Sequence, residues 1–202
     1  MLKQVYQALQ HRKPKPMGHQ NLFQYAVMVP LVEVHGELNI LFEERAHHLK
    51  RQPGEVCFPG GKIDVGDENE KAAAVRETCE ELGLDQSYVE VIGPLDYRVT
   101  PFQIIHPFAG RISDYNKIRP NPDEVASVFC VPLEYLRSCI PELHFVEFQT
   151  APSDNFPFER IPNGRDYKWR TGQIPEYFYH YEDRVIWGLT ARILHHFLEI
   201  TK

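Results

Sequence analysis

A chain of 202 residues and 23.6 kDa is about one domain in length, enough to bury a core without disulfides or a structural metal. Its 43% hydrophobic and 25% charged residues exclude a disordered chain, and no apolar run reaches the ~18–20 residues that crossing a bilayer requires. The net charge of −6 argues against a general nucleic-acid partner, whose affinity would come from neutralised phosphates, but leaves room for a small anionic ligand on a local basic patch.

The N-terminal stretch MLKQVYQALQHRKPKP predicts a short amphipathic helix over 2–10, ended by Pro14 and Pro16. It is basic, but it has neither the apolar centre of a secretory signal nor the serine content of a transit peptide. The final Ile-Thr-Lys is not a peroxisomal address. The expectation is a cytoplasmic protein with no membrane partner. A strand is expected over 23–34 (FQYAVMVPLVEV), then a turn at His35-Gly36 and a strand over 38–43. Residues 46–61 read as a loop rich in Pro and Gly, and residues 67–82 turn helical. Further strands are expected over 89–92, 97–100, 104–112, 127–131 and 145–149, with a short helix opened by Pro132. After an irregular stretch over 151–173, a last strand is expected over 177–181, and Asp183 should cap a long helix toward Glu199. Strands interspersed with helices suggest an α/β (α+β) sandwich forming one domain over 1–202. Cys57, Cys79, Cys130 and Cys139 form no C-x-x-C pair and are read as reduced, structural thiols.

The helix over 67–82 carries the chemistry. Asp67 reads as its N-cap with Glu70 three residues on, and Gly83 stands where a left-handed cap needs no Cβ. At about 100° per residue, Ala72, Val75, Cys79 and Leu82 share an apolar arc, while Glu77, Glu80 and Glu81 share the opposite one. Three carboxylates on one face repel one another, at a few tenths of a kcal/mol per pair. They are either a solvated charged face or a cation site. Two features favour the site. The helix follows the Phe58-Pro59-Gly60-Gly61 loop, whose glycines let a backbone approach a ligand closely, and Arg76 can organise the carboxylates by bidentate pairing. Hard oxygen donors on one helix suit Mg²⁺ or Mn²⁺.

The run Gly61-x6-Glu68-x7-Arg76-Glu77-Thr78-Cys79-Glu80-Glu81-Leu82-Gly83-Leu84 resembles the Nudix box, G-x5-E-x7-R-E-U-x-E-E-x-G-U with U a bulky aliphatic. It differs by one extra residue before Glu68, onto which no role is carried, and by Thr78 in an aliphatic position. The residues upstream resemble the coenzyme A pyrophosphatase branch of that family, through Arg45, Leu49, Gly54, Phe58 to Gly61, Asp64 and Asp67. Thr100-Pro101-Phe102, Asn121 to Val125 and Ile186 to Ala191 resemble later segments of the branch. Ala46, Lys50 and Gln52 depart from its usual Ser, Arg and His.

The resemblance implies a Nudix-like α/β/α sandwich with a mixed sheet and a catalytic loop-helix-loop over about 61–84, the terminal helices being decorations. It implies an enzyme that uses Mg²⁺ or Mn²⁺ to hydrolyse the diphosphate of coenzyme A or its derivatives, giving 3′,5′-ADP and (acyl-)4′-phosphopantetheine. Glu77 and Glu81 are the favoured metal ligands, Glu80 a ligand or the base, and Arg76 the residue that holds them in register. Gly60 and Gly61 are placed against the phosphates. Arg45, Lys50 and Arg51 form a basic patch that either recognises the anionic nucleotide or is a solvated loop. Glu124, in a Pro-Asp-Glu turn, reads as a surface acid before a ligand or base. The His195-His196 pair reads as structural, since adjacent helical side chains do not face one another. The aromatic stretch 156–169 either covers substrate or packs. The alternatives are a Nudix enzyme acting on ADP-ribose, a dinucleoside polyphosphate or a nucleoside triphosphate, and a non-catalytic nucleotide-binding module.

Overall fold

A computed structural model describes residues 1–202. In chain order it contains α1 (Leu2–Leu9), β1 (Phe23–Val34), β2 (Glu37–Arg45), β3 (Val56–Cys57), β4 (Gly60–Lys62), α2 (Glu70–Leu82), β5 (Val89–Pro94), β6 (Arg98–Val99), β7 (Gln103–Ile112), β8 (Val125–Pro132), α3 (Leu133–Ser138), β9 (Glu142–Gln149), β10 (Thr171–Tyr181), β11 (Arg184–Ile186) and α4 (Gly188–Ile200).

β1 is the spine of the main sheet. It runs parallel to β7, from Phe23 opposite Gln103 to Val32 opposite Ile112, and antiparallel to β2 and β4. β3 and β8 flank β2, while β5 and β6 pair with β7. A strand covered on both faces reads as a continuous apolar run, and FQYAVMVPLVEV is one. Its side chains divide between two layers. Ala26 and Met28 pack on Ala73, Ala74 and Val75 of α2. Val29 and Leu31 join the larger core with Phe42, Ile105 and the α4 residues Ala191, Leu194 and Phe197. The result is the expected α/β/α arrangement, a mixed sheet between α2 and α4. β9, β10 and β11 make a second, three-stranded antiparallel sheet.

Several local expectations need correction. The loop over 46–61 holds β3 and part of β4, too short to leave a periodic signal. β10 starts at Thr171, where the pattern is broken by Gly172 and Pro175. Asp183 does not cap α4: with Glu182 at φ 53 it forms the turn into β11, and α4 begins only at Gly188, after the extended Trp187. The aromatic stretch packs on itself, with Trp169 edge-on to Phe156 and Tyr167. All four cysteines are free thiols, each partly buried.

Candidate active site

The site is built where α2 meets the glycine loop. α2 is capped by Asn69, whose side chain accepts the Ala72 N–H at 3.0 Å. Asp67, the expected cap, lies outside the helix and is engaged by Arg76 instead. Gly83 closes the helix in the left-handed conformation expected of it, at φ 61. The face α2 buries is broader than the apolar pattern predicts: Val75 and Leu82 are covered as expected, Ala73, Ala74, Thr78 and Glu81 are covered as well, and Cys79 is only partly so. Small residues let this face lie close on β1. Thr78 fits in an aliphatic position because its hydroxyl donates to the Ala74 carbonyl at 2.7 Å, leaving no unpaired buried polar group.

The broader buried face separates the three glutamates. Glu81 is 4% exposed and points under the glycine loop, where its Oε2 accepts the Gly60 N–H at 2.7 Å. Glu77 is half-buried beside Gly61, where an added Cβ would run into the Glu77 carboxylate. Glu80 faces outward, its side chain 55% exposed, and does not line the cleft. Arg76 ties the group together with all five of its donors. Nε and Nη2 form a fork on Asp67 at 2.9 Å each, Nη2 also reaches the Lys62 carbonyl at 3.1 Å, and Nη1 is shared between Glu77 at 2.8 Å and Glu80 at 3.1 Å. The Arg76 fork and the Asp64 N–H hold the Asp67 carboxyl at about 2.

A second loop completes the wall. The Arg119 and Asn121 N–H groups donate to the carbonyls of Leu82 and Glu81, both at 2.8 Å. That clamp brings Glu124 to the cleft edge, correcting its reading as a plain surface acid. The strand acid Glu43, unnoticed in the sequence, sits beneath, 1% exposed, with Oε1 accepting the Cys57 thiol at 3.2 Å and Oε2 without a partner. Burial raises the Glu81 carboxyl to about 9, with the Glu43, Glu77 and Glu124 charges adding to it. Burial raises Glu43 to about 7 and lifts Glu77 despite its contact with Arg76. Burial and Glu43 push the Cys57 thiol up as well, so it is no nucleophile.

As placed, no three His, Cys, Asp or Glu side chains are gathered closely enough to form a ready cage for a metal ion. The donor chemistry nonetheless fits a hard divalent cation. Glu77, Glu81 and Glu124 line one cleft, and burial, with the neighbouring carboxylates adding to it, raises both Glu77 and Glu81, a cost that a hard cation held by their oxygens would relieve.

The cleft has a volume of about 470 Å³, and Arg45, Arg51, Gln52 and Glu55 also line it. Lys50 is exposed and off this wall. An adjoining cavity of about 540 Å³ shares Glu55, Val56 and Trp187 with it. His195 stacks on Tyr177 at 3.9 Å and meets the Tyr179 hydroxyl at 2.8 Å, while His196 lies 3.5 Å from Asp96. Each ring thus has its own neighbours within the fold.

The NUDIX domain family profile matches residues 22–150. A peroxisomal coenzyme A diphosphatase of Mus musculus is 42% identical over 140 residues, covering 69% of this chain and 58% of its own length. Nudix hydrolase 3 of Caenorhabditis elegans is 35% identical over 193 residues, covering 87% and 72%. The mitochondrial Nudix hydrolase 15 of Arabidopsis thaliana is 35% identical over 182 residues, covering 84% and 55%. The chain thus spans less than two thirds of the mouse and Arabidopsis relatives. Among solved structures, a MutT/nudix family protein from Enterococcus faecalis superposes with a TM-score of 0.50 at 15% identity, over 100% of this chain and 69% of its own. That likeness is one of fold.

Proposed function

This chain belongs to the Nudix family, and from that premise we propose that it is a metal-dependent diphosphatase acting on coenzyme A or its derivatives. We read residues 1–202 as one Nudix domain with α1 and α4 as additions. One observation carries the reading: Arg76 fixes Glu77 against Gly61 while Gly60 fixes Glu81, so two carboxylates meet a backbone free of side chains in a cleft that also holds Arg45 and Arg51. A pure nucleotide binder gains nothing from such repulsion.

A diphosphate resists attack because its own oxygens repel a nucleophile. Bound Mg²⁺ or Mn²⁺ would supply charge neutralisation and a more acidic water. Glu77 and Glu81 would hold the ion. Arg76 keeps both glutamates in place and touches no substrate. Glu80 buttresses Arg76 from the solvent side, in place of the ligand or base role expected of it. Glu124, the most exposed of the cleft carboxylates, would take the proton of the attacking water. Gly60 and Gly61 leave room for the phosphates. Arg45 and Arg51 offer planar forks to the nucleotide phosphates, and Lys50 falls out of that set.

The coenzyme A reading draws on the mouse relative and on the cavity beyond Trp187, which extends the cleft past the length of a diphosphate. The cytoplasmic expectation draws no support from the names of the mouse and Arabidopsis relatives, which refer to organelles. A substrate panel with Mg²⁺ or Mn²⁺, its products separated by chromatography, tests the reading. Coenzyme A should give 3′,5′-ADP and 4′-phosphopantetheine faster than ADP-ribose or diadenosine polyphosphates react. Arg51→Ala should raise KM for coenzyme A about ten- to a hundredfold, the worth of one charge-assisted contact, and Lys50→Ala should leave it within twofold or so. Faster turnover of ADP-ribose would remove coenzyme A from the assignment.

A further inference from the structure

The first fifteen residues bury nothing: each is exposed, and no residue of α1 is covered by the rest of the chain. α1 is nonetheless strongly two-faced. Leu2, Val5, Tyr6 and Leu9 stand at i, i+3, i+4 and i+7, which is one stripe of a helix, and they are between 50% and 71% exposed. The other side carries Lys3, Gln4 and Gln7. A helix whose apolar stripe faces water needs a partner to be stable at eight residues, since isolated helices this short are marginal.

Charge narrows the choice of partner. Lys3, Arg12, Lys13 and Lys15 all precede the first acidic residue, Glu33, in a chain whose net charge is −6. Acids are therefore absent from the one segment that exposes an apolar helix, and cations gather at its C-terminal end, where Pro14 and Pro16 separate it from β1. A short apolar stripe bordered by cations, with a tyrosine whose ring and hydroxyl suit the headgroup level, matches an anionic lipid surface.

We propose that α1 and residues 10–15 dock this protein on membranes that carry acidic phospholipids, the helix lying in the interface with Leu2, Val5, Tyr6 and Leu9 toward the acyl chains. The sequence expectation of no membrane partner followed from the absence of a spanning segment, and lying on a bilayer is a different condition from crossing it.

Co-sedimentation of the full chain with vesicles tests this. Phosphatidylcholine vesicles containing about a third phosphatidylserine should bind it, pure phosphatidylcholine vesicles should not, and high salt should release it. Each cation near an anionic surface is worth about fivefold in affinity, so Arg12→Gln with Lys13→Gln should weaken binding about 25-fold. Val5→Gln with Leu9→Gln should also abolish it, which attraction by charge alone would not require. Tyr6→Trp should show a blue-shifted emission on the acidic vesicles. The thermal midpoint should stay unchanged in all three variants, because these side chains pack on nothing. Equal binding to neutral vesicles, no binding at all, or full binding by either double variant would overturn the proposal. So would self-association without lipid that Leu9→Gln removes, which would give the stripe to a second copy.

Discussion

Glu77 and Glu80 share one nitrogen of Arg76, yet they face different media, and medium decides what each can do. The Glu77 carboxylate is pressed between Arg76 and Gly61 and half-buried; the Glu80 carboxylate reaches the same Nη1 from solvent. Glu81 is the most enclosed of the three. Substituting Gln keeps the shape and removes the charge. We expect Glu77→Gln and Glu81→Gln each to lower kcat at least ~100-fold, the scale of losing one strong electrostatic catalytic group. Glu80→Gln should cost less than about tenfold, because an exposed ion pair contributes little and Asp67 still anchors Arg76. Steady-state rates at saturating metal measure all three. A loss at Glu80 equal to that at Glu77 would mean that its side chain swings into the cleft on ligand binding.

At the scale of elements, the turn from 58 to 82 behaves as one piece because Arg76 bridges it. The Asp67 carboxyl sits at about 2, below its ordinary 3.8, through its bonds with Arg76. A depressed folded value means stability that is complete above the unfolded pKa and is lost as pH falls from there toward about 2. Asp67→Asn should therefore be less stable than the parent at neutral pH, with the gap in urea midpoint narrowing on acidification over that window. A gap independent of pH would mean that packing rather than charge holds the turn. The sequence announced this element through Arg76, Glu77 and Gly83, residue types with few substitutes, yet placed its start two residues early. Asp67 and Asn69 are both good caps, and only the tertiary demand of Arg76 separates them. β1 was legible to its ends because both of its faces are buried, whereas two-residue pairings such as β3 have no period to read. In the sequence Glu124 reads first as a surface acid and Glu43 is missed, for a common reason. Each comes to the site through a loop clamp or a strand register, long-range facts that local pattern does not carry.

For the molecule as a whole, the crowded carboxylates are a cost to folding that a divalent cation would offset. An ion that binds only the folded chain at about a hundred times its Kd adds about 2.7 kcal/mol, and for a chain of this size each kcal/mol moves Tm by about 2–4 °C. We expect millimolar Mg²⁺ or Mn²⁺ to raise Tm by roughly 5–10 °C and excess chelator to abolish turnover. Glu81→Gln should show the opposite profile, more stable than the parent without metal and nearly insensitive to it, which differential scanning calorimetry would record. Unchanged Tm across metal concentrations would mean the site does not bind the ion in the free enzyme. The clamp of Arg119 and Asn121 on the Leu82 and Glu81 carbonyls has a consequence in time as well as in space. The last turn of α2 and the Glu124 loop cannot open separately, because each satisfies the other's backbone. Their amide protons should exchange with solvent as one cooperative unit, at a common rate. The chain would then alternate between a site with Glu81 and Glu124 both in place and one with neither, while Glu77 stays with Arg76.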